Sequence, residues 1–241
     1  MKINITLQGK GGVGKSVIAS FLTQHFREQG IKPVCVDTDP VNATFAGYKP
    51  FDVLRLNIMD GEDINQRAFD ELVELIMAND DPNAVMVVDN GASSFVPLGS
   101  YLVSGEVLPM LAEAGHEIRL HSVLTGGQAL GDTFKGLVSL VNNFPETPVV
   151  VWMNEFFGPI EMGGISIEKS SEYRKLAPRI AAQVTLPTVK METFGHDLKA
   201  MLTARQTFAD AIVSQDNSVM TRQRLKMYWR DISGAMNRAG L

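Results

Sequence analysis

The sequence predicts an α/β fold in which a mostly parallel sheet carries helices on both faces. Short apolar runs typical of strands alternate along the chain with longer segments in which apolar residues recur at helical spacing. A glycine-rich loop joins the first of these strands to the first of these helices. Alternation of this kind is typical of parallel strands joined by crossover helices. Because α/β folds of 241 residues are often undivided, we expect a single domain over residues 1–241.

The first two elements flank the loop. Ile3, Ile5 and Leu7 alternate with polar residues as in a half-buried strand. Apolar residues at positions 17, 18, 21, 22 and 26 then follow helical spacing, and Gly30 supplies a stop signal. The loop between them matches the phosphate-loop pattern G-x-x-x-x-G-K-[ST], because it reads Gly9-Lys10-Gly11-Gly12-Val13-Gly14-Lys15-Ser16.

This loop predicts a nucleoside triphosphate site. A helix N-terminus offers unpaired N–H groups and partial positive charge to phosphate oxygens. We expect Lys15 to reach the β- and γ-phosphates and the Ser16 hydroxyl to ligate Mg²⁺. The predicted phosphate-binding residues are Gly11, Gly12, Val13, Gly14, Lys15 and Ser16. The alternative, an ordinary glycine-rich turn, is disfavoured by the strand and helix on either side.

Carboxylates end two of the later predicted strands. Residues 34–36 form a buried strand that ends in Asp37-Thr38-Asp39-Pro40, and residues 84–88 form another that ends in Asp89. The carboxyl edge of a parallel sheet is where ligands of open α/β folds bind. An acid in the position of Asp89 holds Mg²⁺ in phosphate-loop enzymes, because this ion prefers oxygen ligands. The alternative for Asp37 and Asp39 is that they only cap a loop.

The rest of the chain continues the alternation. Residues 90–94 form a small-residue loop that could respond to the γ-phosphate. Residues 156–170 are expected to be an exposed excursion. The remaining predictions are loop 41–48, strand 54–59, helix 64–77, strand 118–124, helix 130–141, strand 149–154 ending in Asn154, strand 180–186 followed by Pro187, and a mainly helical segment 198–240.

Composition narrows the class of protein. A net charge of −5 and a pI near 5.4 argue against a protein that coats nucleic acid, although they allow a local basic patch. The single cysteine, Cys35, excludes an internal disulfide and a cysteine metal cluster, and its apolar surroundings predict a buried thiol. No apolar run reaches the length of a membrane span and no signal peptide precedes the first strand, so we expect a cytoplasmic protein. The histidines at 116, 121 and 196 lack metal-like spacing and are expected at the surface or in caps.

A basic ridge on the last predicted helix has three interpretations. Its residues are Arg222, Arg224, Lys226 and Arg230. They could contact DNA phosphates, or they could be the solvated face of a helix that buries its opposite side, which is the favoured interpretation. A membrane-surface helix ranks last, because the apolar content is modest and Asp231 interrupts the basic face.

The second lysine of the loop makes the motif specific. Lys10-Gly11-Gly12-Val13-Gly14-Lys15-Ser16 resembles the deviant Walker A signature of the ParA/MinD family of dimerising ATPases. The resemblance continues in order at Asp37-Thr38-Asp39-Pro40, Asp89 and Asn154. The stretches around Gln8, Asp37 to Phe45 and Asp89 to Pro97 are most similar to the TraL/StbB-type branch encoded by conjugative plasmids.

Family membership implies roles that spacing alone could not supply. It implies an ATP-dependent homodimer in which Lys10 reaches the partner's nucleotide. It implies that Asp39 positions or activates the attacking water and that Asp37 supports Mg²⁺. Asn154 falls where the family reads adenine, although it could equally form a strand-end turn, and we place Pro187 among the nucleotide-binding residues. One departure is that residues 89–92 lack the prolines of the usual second switch, so the timing of hydrolysis cannot be carried over.

These features favour one function over two others. The leading hypothesis is an ATP-dependent switch with weak, Mg²⁺-dependent hydrolysis stimulated by a partner or DNA. It would act in plasmid conjugation, partition or stability through a DNA-binding, relaxosome or partition protein. The alternative is a nucleotide-binding adaptor with negligible turnover. A metabolic phosphate-loop enzyme is disfavoured, because the chain lacks the second cysteine of an iron protein and an arginine-bearing lid. ATP is preferred over GTP because no guanine-reading N-K-x-D or T-K-x-D motif occurs.

Overall fold

A seven-stranded parallel sheet forms the centre of the computed structural model, which describes residues 1–241. Its strand order is β11-β8-β7-β1-β6-β2-β3, and every pairing is parallel. The strands of this sheet are β1 (Lys2–Thr6), β2 (Val34–Asp37), β3 (Leu54–Arg55), β6 (Val85–Asp89), β7 (Glu117–Thr125), β8 (Val149–Asn154) and β11 (Ile180–Leu186). Two small hairpins stand apart from it: β4 (Met59–Asp60) with β5 (Asp63–Ile64), and β9 (Glu161–Met162) with β10 (Ile165–Ser166).

Helices cover both faces of the sheet. They are α1 (Lys15–Glu28), α2 (Asp70–Met77), α3 (Phe95–Ser104), α4 (Val107–Glu113), α5 (Leu130–Asn143), α6 (Ser171–Leu176), α7 (His196–Thr203), α8 (Phe208–Val213) and α9 (Val219–Arg238). One apolar cluster packs α2, α3, α4 and α5 against the sheet, and a second packs α1, α7, α8 and α9 against the opposite face. The predicted α/β architecture, with a parallel sheet and helices on both faces, is therefore confirmed.

The central position of β1 places the loop that follows it. β1 lies between β6 and β7, so that Thr6 is level with Asp89 on one side and with His121 on the other. β2 pairs with β6 in a register that sets Asp37 beside Asp89. The carboxyl ends of β1, β2 and β6 therefore meet at the edge where the glycine-rich loop leads into α1.

Some predicted elements have other boundaries in the structure. The helix expected at 64–77 begins with a 3₁₀ turn, Gln66–Phe69, and is α-helical only as α2. The strand expected at 54–59 is divided between β3 and the separate strand β4. Residues 156–170 contain the β9–β10 hairpin, and Ile160 and Ile167 anchor this excursion in the core. Helices α3 and α4 were not predicted, because Pro97, Gly99 and Pro109 interrupt their pattern and apolar residues occupy their exposed sides as well.

The expectation for His121 is wrong, because this side chain is fully buried. Its strand β7 lies inside the sheet and is covered on both faces. The Trp152 indole N–H donates to His121 Nδ1 over 2.9 Å, and His121 Nε2 lies 3.0 Å from the Asn4 side-chain oxygen. Burial lowers the pKa of His121 to about 3, so the ring is neutral and its Nε2–H donates to Asn4. A buried polar network therefore ties β1, β7 and β8 together.

The expectation for Cys35 is met. Cys35 is a buried free thiol whose pKa is raised by burial to about 11. Helix α9 buries its apolar side against the sheet through Leu225, Tyr228, Ile232 and Met236. The favoured interpretation of the basic ridge as the outer side of a packed helix agrees with this arrangement.

No single helix has both the length and the apolar content needed to cross a membrane, and the pair α3 and α4, which together meet that test, bends by 57° between them.

Replacing Trp152 by Phe should show how much the buried Trp152–His121–Asn4 network contributes to stability. The Trp152→Phe variant leaves His121 Nδ1 buried without a donor, which costs ~1–3 kcal/mol of unfolding free energy. The matched control is Trp229→Phe, because the Glu28 carboxylate that accepts the Trp229 indole N–H is exposed and water can replace the lost bond. Urea denaturation measures both variants. Equal losses of stability would contradict a special role for the buried network.

Candidate nucleotide-binding site

The glycine-rich loop wraps into a cradle at the N-terminus of α1. Gly12 and Gly14 have φ of +74° and +108°, in the region that a side chain disfavours. Gly14 is the residue that caps α1, and no side chain caps the helix there. The first N–H groups of α1 are therefore available to an anion, as phosphate binding requires.

Lys15 lies at the floor of this cradle. Its ammonium group donates to the Lys10 carbonyl oxygen over 3.1 Å and is largely buried. Burial lowers its pKa, while the charges of Asp89 and Asp39 oppose that shift. The carboxylates keep a buried cation beside the loop, where phosphate oxygens would be its natural partners.

Asp89 is a buried acid at the end of β6. One of its oxygens accepts a 2.8 Å hydrogen bond from the Thr6 hydroxyl. Burial raises the pKa of Asp89 to about 7, an effect that Asp37 reinforces and that Ser16, Thr6 and Lys15 oppose. Asp89 is therefore a buried carboxylate beside Ser16, and a bound cation would further favour its charged form.

Asp37 organises the loop that follows β2. Its two carboxylate oxygens accept the backbone N–H groups of Asp39, over 2.9 Å, and of Ala46, over 2.8 Å. Burial nevertheless raises its pKa above the ordinary value. Loop capping and a contribution to a cation site are compatible roles, because each carboxylate oxygen has a second lone pair.

Asp39 belongs to the first of two switch loops, residues 38–46, and faces the second, residues 90–94. Its Oδ1 accepts the N–H groups of Val41 and Asn42 over 2.9 and 3.1 Å. A Cβ added at Gly91 would stand 2.7 Å from the Asp39 carboxyl carbon, so the loops touch at this point. The residue expected to position water therefore contacts the second loop directly.

Three residues that the sequence analysis did not single out bind the switch loops together. The Thr38 hydroxyl donates to Asn90 Oδ1 over 3.0 Å, and the Ser94 hydroxyl donates to the same oxygen over 2.8 Å. The Thr38 N–H also donates to the Asp89 carbonyl over 2.9 Å. All three side chains are buried. The signals in the sequence were the position of Thr38 between Asp37 and Asp39 and the place of Asn90 and Ser94 in the small-residue loop after Asp89.

Lys10 points away from its own loop. Its ammonium group forms a 2.9 Å ion pair with Asp132 near the start of α5. This contact lowers the pKa of Asp132. About half of each side chain is exposed, at 44% and 55%. Because solvent screens this exposed ion pair, a competing anion could displace Asp132 at little cost.

Asn154 is hydrogen-bonded to the glycine-rich loop. Its Nδ2 donates to the Val13 carbonyl over 2.9 Å, and its Oδ1 accepts the Phe156 N–H over 3.1 Å. It therefore forms the strand-end turn that was the alternative to adenine reading, while one N–H of its amide is still free.

A cavity of about 820 Å³ opens beside Asn154 and is large enough for a nucleoside. It runs from Gly12 and Gly14 past Phe156 to Leu186 and Lys199. Pro187 is not among its lining residues, although its neighbours Leu186 and Thr188 are. Pro187 instead lines a groove on the edge strand β11. Apart from Pro187, the predicted nucleotide residues converge on one edge of the sheet.

The donor set fits both a nucleotide and a divalent cation. The two left-handed glycines and the uncapped helix form a cradle for phosphates, and the apolar cavity beside it would take the base and ribose. The hydroxyl of Ser16 and the carboxylates of Asp37 and Asp89 are hard oxygen ligands of the kind that Mg²⁺ prefers. When bound, this ion would neutralise phosphate charge.

Comparisons with known proteins agree with this geometry. The family model of the CobQ/CobB/MinD/ParA nucleotide-binding domain matches residues 5–232. The chain belongs to this family. It is 48% identical to a protein TraL of Escherichia coli over 241 residues, which cover 100% of this chain and 99% of the relative.

Solved structures show the same fold at low sequence identity. The cell division protein MinD of Aquifex aeolicus matches with a TM-score of 0.52 at 12% identity, over 97% of this chain and 98% of its own. A plasmid partition protein of Borrelia burgdorferi bound to AMPPNP matches with a TM-score of 0.50 at 14% identity, over 98% of each chain. The predicted resemblance to ParA/MinD proteins, with TraL as the nearer branch, is confirmed.

The contact between the switch loops gives a stability prediction. In the Gly91→Ala variant the new methyl group would collide with Asp39, so the unfolding free energy should fall by ~1–3 kcal/mol. The matched control is Gly99→Ala in α3, where nothing lies within 4 Å of the added Cβ. That helical substitution should raise stability by ~0.5–1 kcal/mol. Thermal unfolding measures both, and an unchanged Gly91→Ala protein would contradict the described contact.

Proposed function

We propose that this protein is an ATP-dependent dimerising switch with slow, Mg²⁺-dependent hydrolysis, acting in plasmid conjugative transfer, partition or stability. The observation that carries the proposal is the direct hydrogen bonding between the two switch loops, 38–46 and 90–94, beside a phosphate cradle. A γ-phosphate placed at Lys15 would lie next to both loops, so its presence or loss could change their arrangement. The signal passed to a partner would then be the conformation of the two switch loops.

The residues divide the chemistry among them. Lys15 and the N–H groups of the loop would bind the phosphates, and Ser16, Asp37 and Asp89 would hold Mg²⁺. Asp39 would orient the attacking water, because its carboxylate lies at the contact between the switch loops. The N–H groups of Val41 and Asn42 both occupy its Oδ1, so the water would bind at Oδ2.

Dimerisation would use Lys10. In the free chain this lysine is held by Asp132, which is the only partner of its ammonium group. A second nucleotide-bound copy would present phosphate oxygens, which carry more charge than one carboxylate. Exchange of Asp132 for the partner's phosphates would then favour the dimer only when nucleotide is bound.

The partners follow from the plasmid-type resemblance. We propose a plasmid DNA-binding, relaxosome or partition protein as the partner of the ATP-bound dimer, in the cytoplasm. Direct, non-specific DNA contact would fall mainly to Lys226 and Arg222. Arg224 is already paired with Asp197 over 2.5 Å, and Arg230 is paired with Asp231 over 2.9 Å. The basic ridge therefore offers fewer free cations than its sequence suggests.

Substitution of Lys10 or Lys15 should weaken ATP-dependent dimerisation, whereas substitution of Asp132 should strengthen it. Light scattering with no nucleotide, with ADP and with ATP–Mg²⁺ should show an ATP-dependent dimer that Lys10→Ala and Lys15→Ala abolish. The Asp132→Asn variant frees Lys10 from its exposed ion pair and should dimerise at a several-fold lower ATP concentration. A protein that stays monomeric whatever is bound would show that the role of Lys10 is wrong.

Hydrolysis separates the switch from its alternative, an adaptor with negligible turnover. The adaptor is a second candidate because residues 89–92 lack the prolines of the family's usual second switch. Phosphate release should be at least ~10²-fold slower in Asp39→Ala than in the wild type, because a positioned water is lost. Binding of ATP by the variant is the control. If the wild type is no faster than the variant, the protein is the adaptor.

A further inference from the structure

Strand β11 is an open edge of the main sheet. It pairs with β8 on one side only. No hydrogen bond from a loop, a helix or a side chain reaches its backbone on the other side. An edge of this kind presents a row of free N–H and C=O groups, which is a template for another strand.

The sequence of β11 does not protect that edge. The seven residues Ile180–Leu186 carry no charge and no proline, which are the usual means of blocking an edge. Ala181, Gln183 and Thr185 are exposed on one face of the strand. The bulge between Ile180 and Ala182 leaves five regular residues after it. At the opposite end of the sheet, β3 has only two residues and offers no comparable template.

Helix α9 supplies a second contact surface next to this edge. A groove of about 640 Å³ lies between β11 and α9 and is lined largely by small side chains, with Asp231 and Arg238 as its charged residues. Tyr228 shares the nucleotide cavity with Leu186, whereas Gly240, just beyond α9, contacts Arg119 near the start of β7. Helix α9 therefore runs antiparallel to β11, which puts Asp231 towards the end of the strand and Arg238 towards its start.

We propose that β11 pairs with β11 of a second copy of this chain, antiparallel and about a twofold axis perpendicular to the sheet. Such an axis brings the end of one strand to the start of the other. It therefore brings Asp231 of each copy towards Arg238 of the other, so that opposite charges meet at both ends of the contact. Asp231 would exchange its exposed ion pair with Arg230 for this contact. Both α9 helices lie on the same face of the joined sheet and close over the two grooves.

This interface is separate from the glycine-rich loop and does not depend on the proposed function. It needs no nucleotide and does not involve Lys10. A chain with both interfaces would form assemblies larger than a dimer when ATP is present. With five paired residues on each copy, the contact falls below the ~1,200 Å² of standard interfaces and should be weak and reversible.

Cysteine crosslinking tests the strand pairing. Cys35 is buried and its pKa is raised, so the natural thiol should not react. A mixture of Gln183→Cys and Thr185→Cys proteins, without nucleotide and with a bismaleimide, should give crosslinked dimers, because residues 183 and 185 lie opposite each other when 182–186 pair. The control is Glu71→Cys, at an exposed position on α2 across the sheet from α9. Crosslinking no greater than this control would overturn the proposal.

Charge reversal tests the arrangement of the two copies. Sedimentation without nucleotide from about 10 µM to about 1 mM should show a monomer–dimer equilibrium. Asp231→Arg and Arg238→Asp should each weaken dimerisation about tenfold, and the double variant should restore it. A monomer at every concentration, or no restoration in the double variant, would overturn the proposal. The Lys10→Ala protein should dimerise here like the wild type, so failure of the ATP-dependent dimer would leave this result unaffected.

Discussion

The burial of Asp89 is the constraint on which the site depends. A carboxylate at the end of a central strand loses its hydration, and this burial raises the pKa of Asp89 to about 7. Thr6 supplies one hydrogen bond, and Lys15 and Ser16 lie near enough to favour the charge. A ligand that brings a cation to this site would offset the desolvation cost of the Asp89 carboxylate. The parallel register of β1, β2 and β6 makes the arrangement unavoidable, because it sets Thr6, Asp37 and Asp89 side by side.

The two switch loops, 38–46 and 90–94, contact each other at the same edge of the sheet. Thr38 and Ser94 both donate to Asn90, and Asp39 packs against Gly91. Movement of either loop would break buried hydrogen bonds of the other, at a cost of ~1–3 kcal/mol for each unsatisfied group. The loops are therefore expected to move together. Phe95 extends this coupling, because its ring packs against Gly9 at the start of the phosphate loop.

Much of this site could be predicted from the sequence, because it depends on local patterns. The glycine loop requires left-handed backbone at Gly12 and Gly14, and the acids follow apolar strands that must lie inside the sheet. Contacts between distant segments were not predictable: Lys10 with Asp132, Asn154 with Val13, and Trp152 with His121. No pattern in the sequence encodes the direction of these side chains. Helices α3 and α4 escaped prediction because glycine and proline weaken their helical signal, while packing against the sheet stabilises them.

The central claim is that the cradle binds a nucleoside triphosphate, and calorimetric titration of the free protein tests it most directly. ATP–Mg²⁺ should bind saturably at one site per chain, GTP should bind more weakly, and Lys15→Ala should lose binding of the triphosphate. A wild-type protein that shows no saturable binding of ATP, or a Lys15→Ala protein that binds it equally well, would contradict the account.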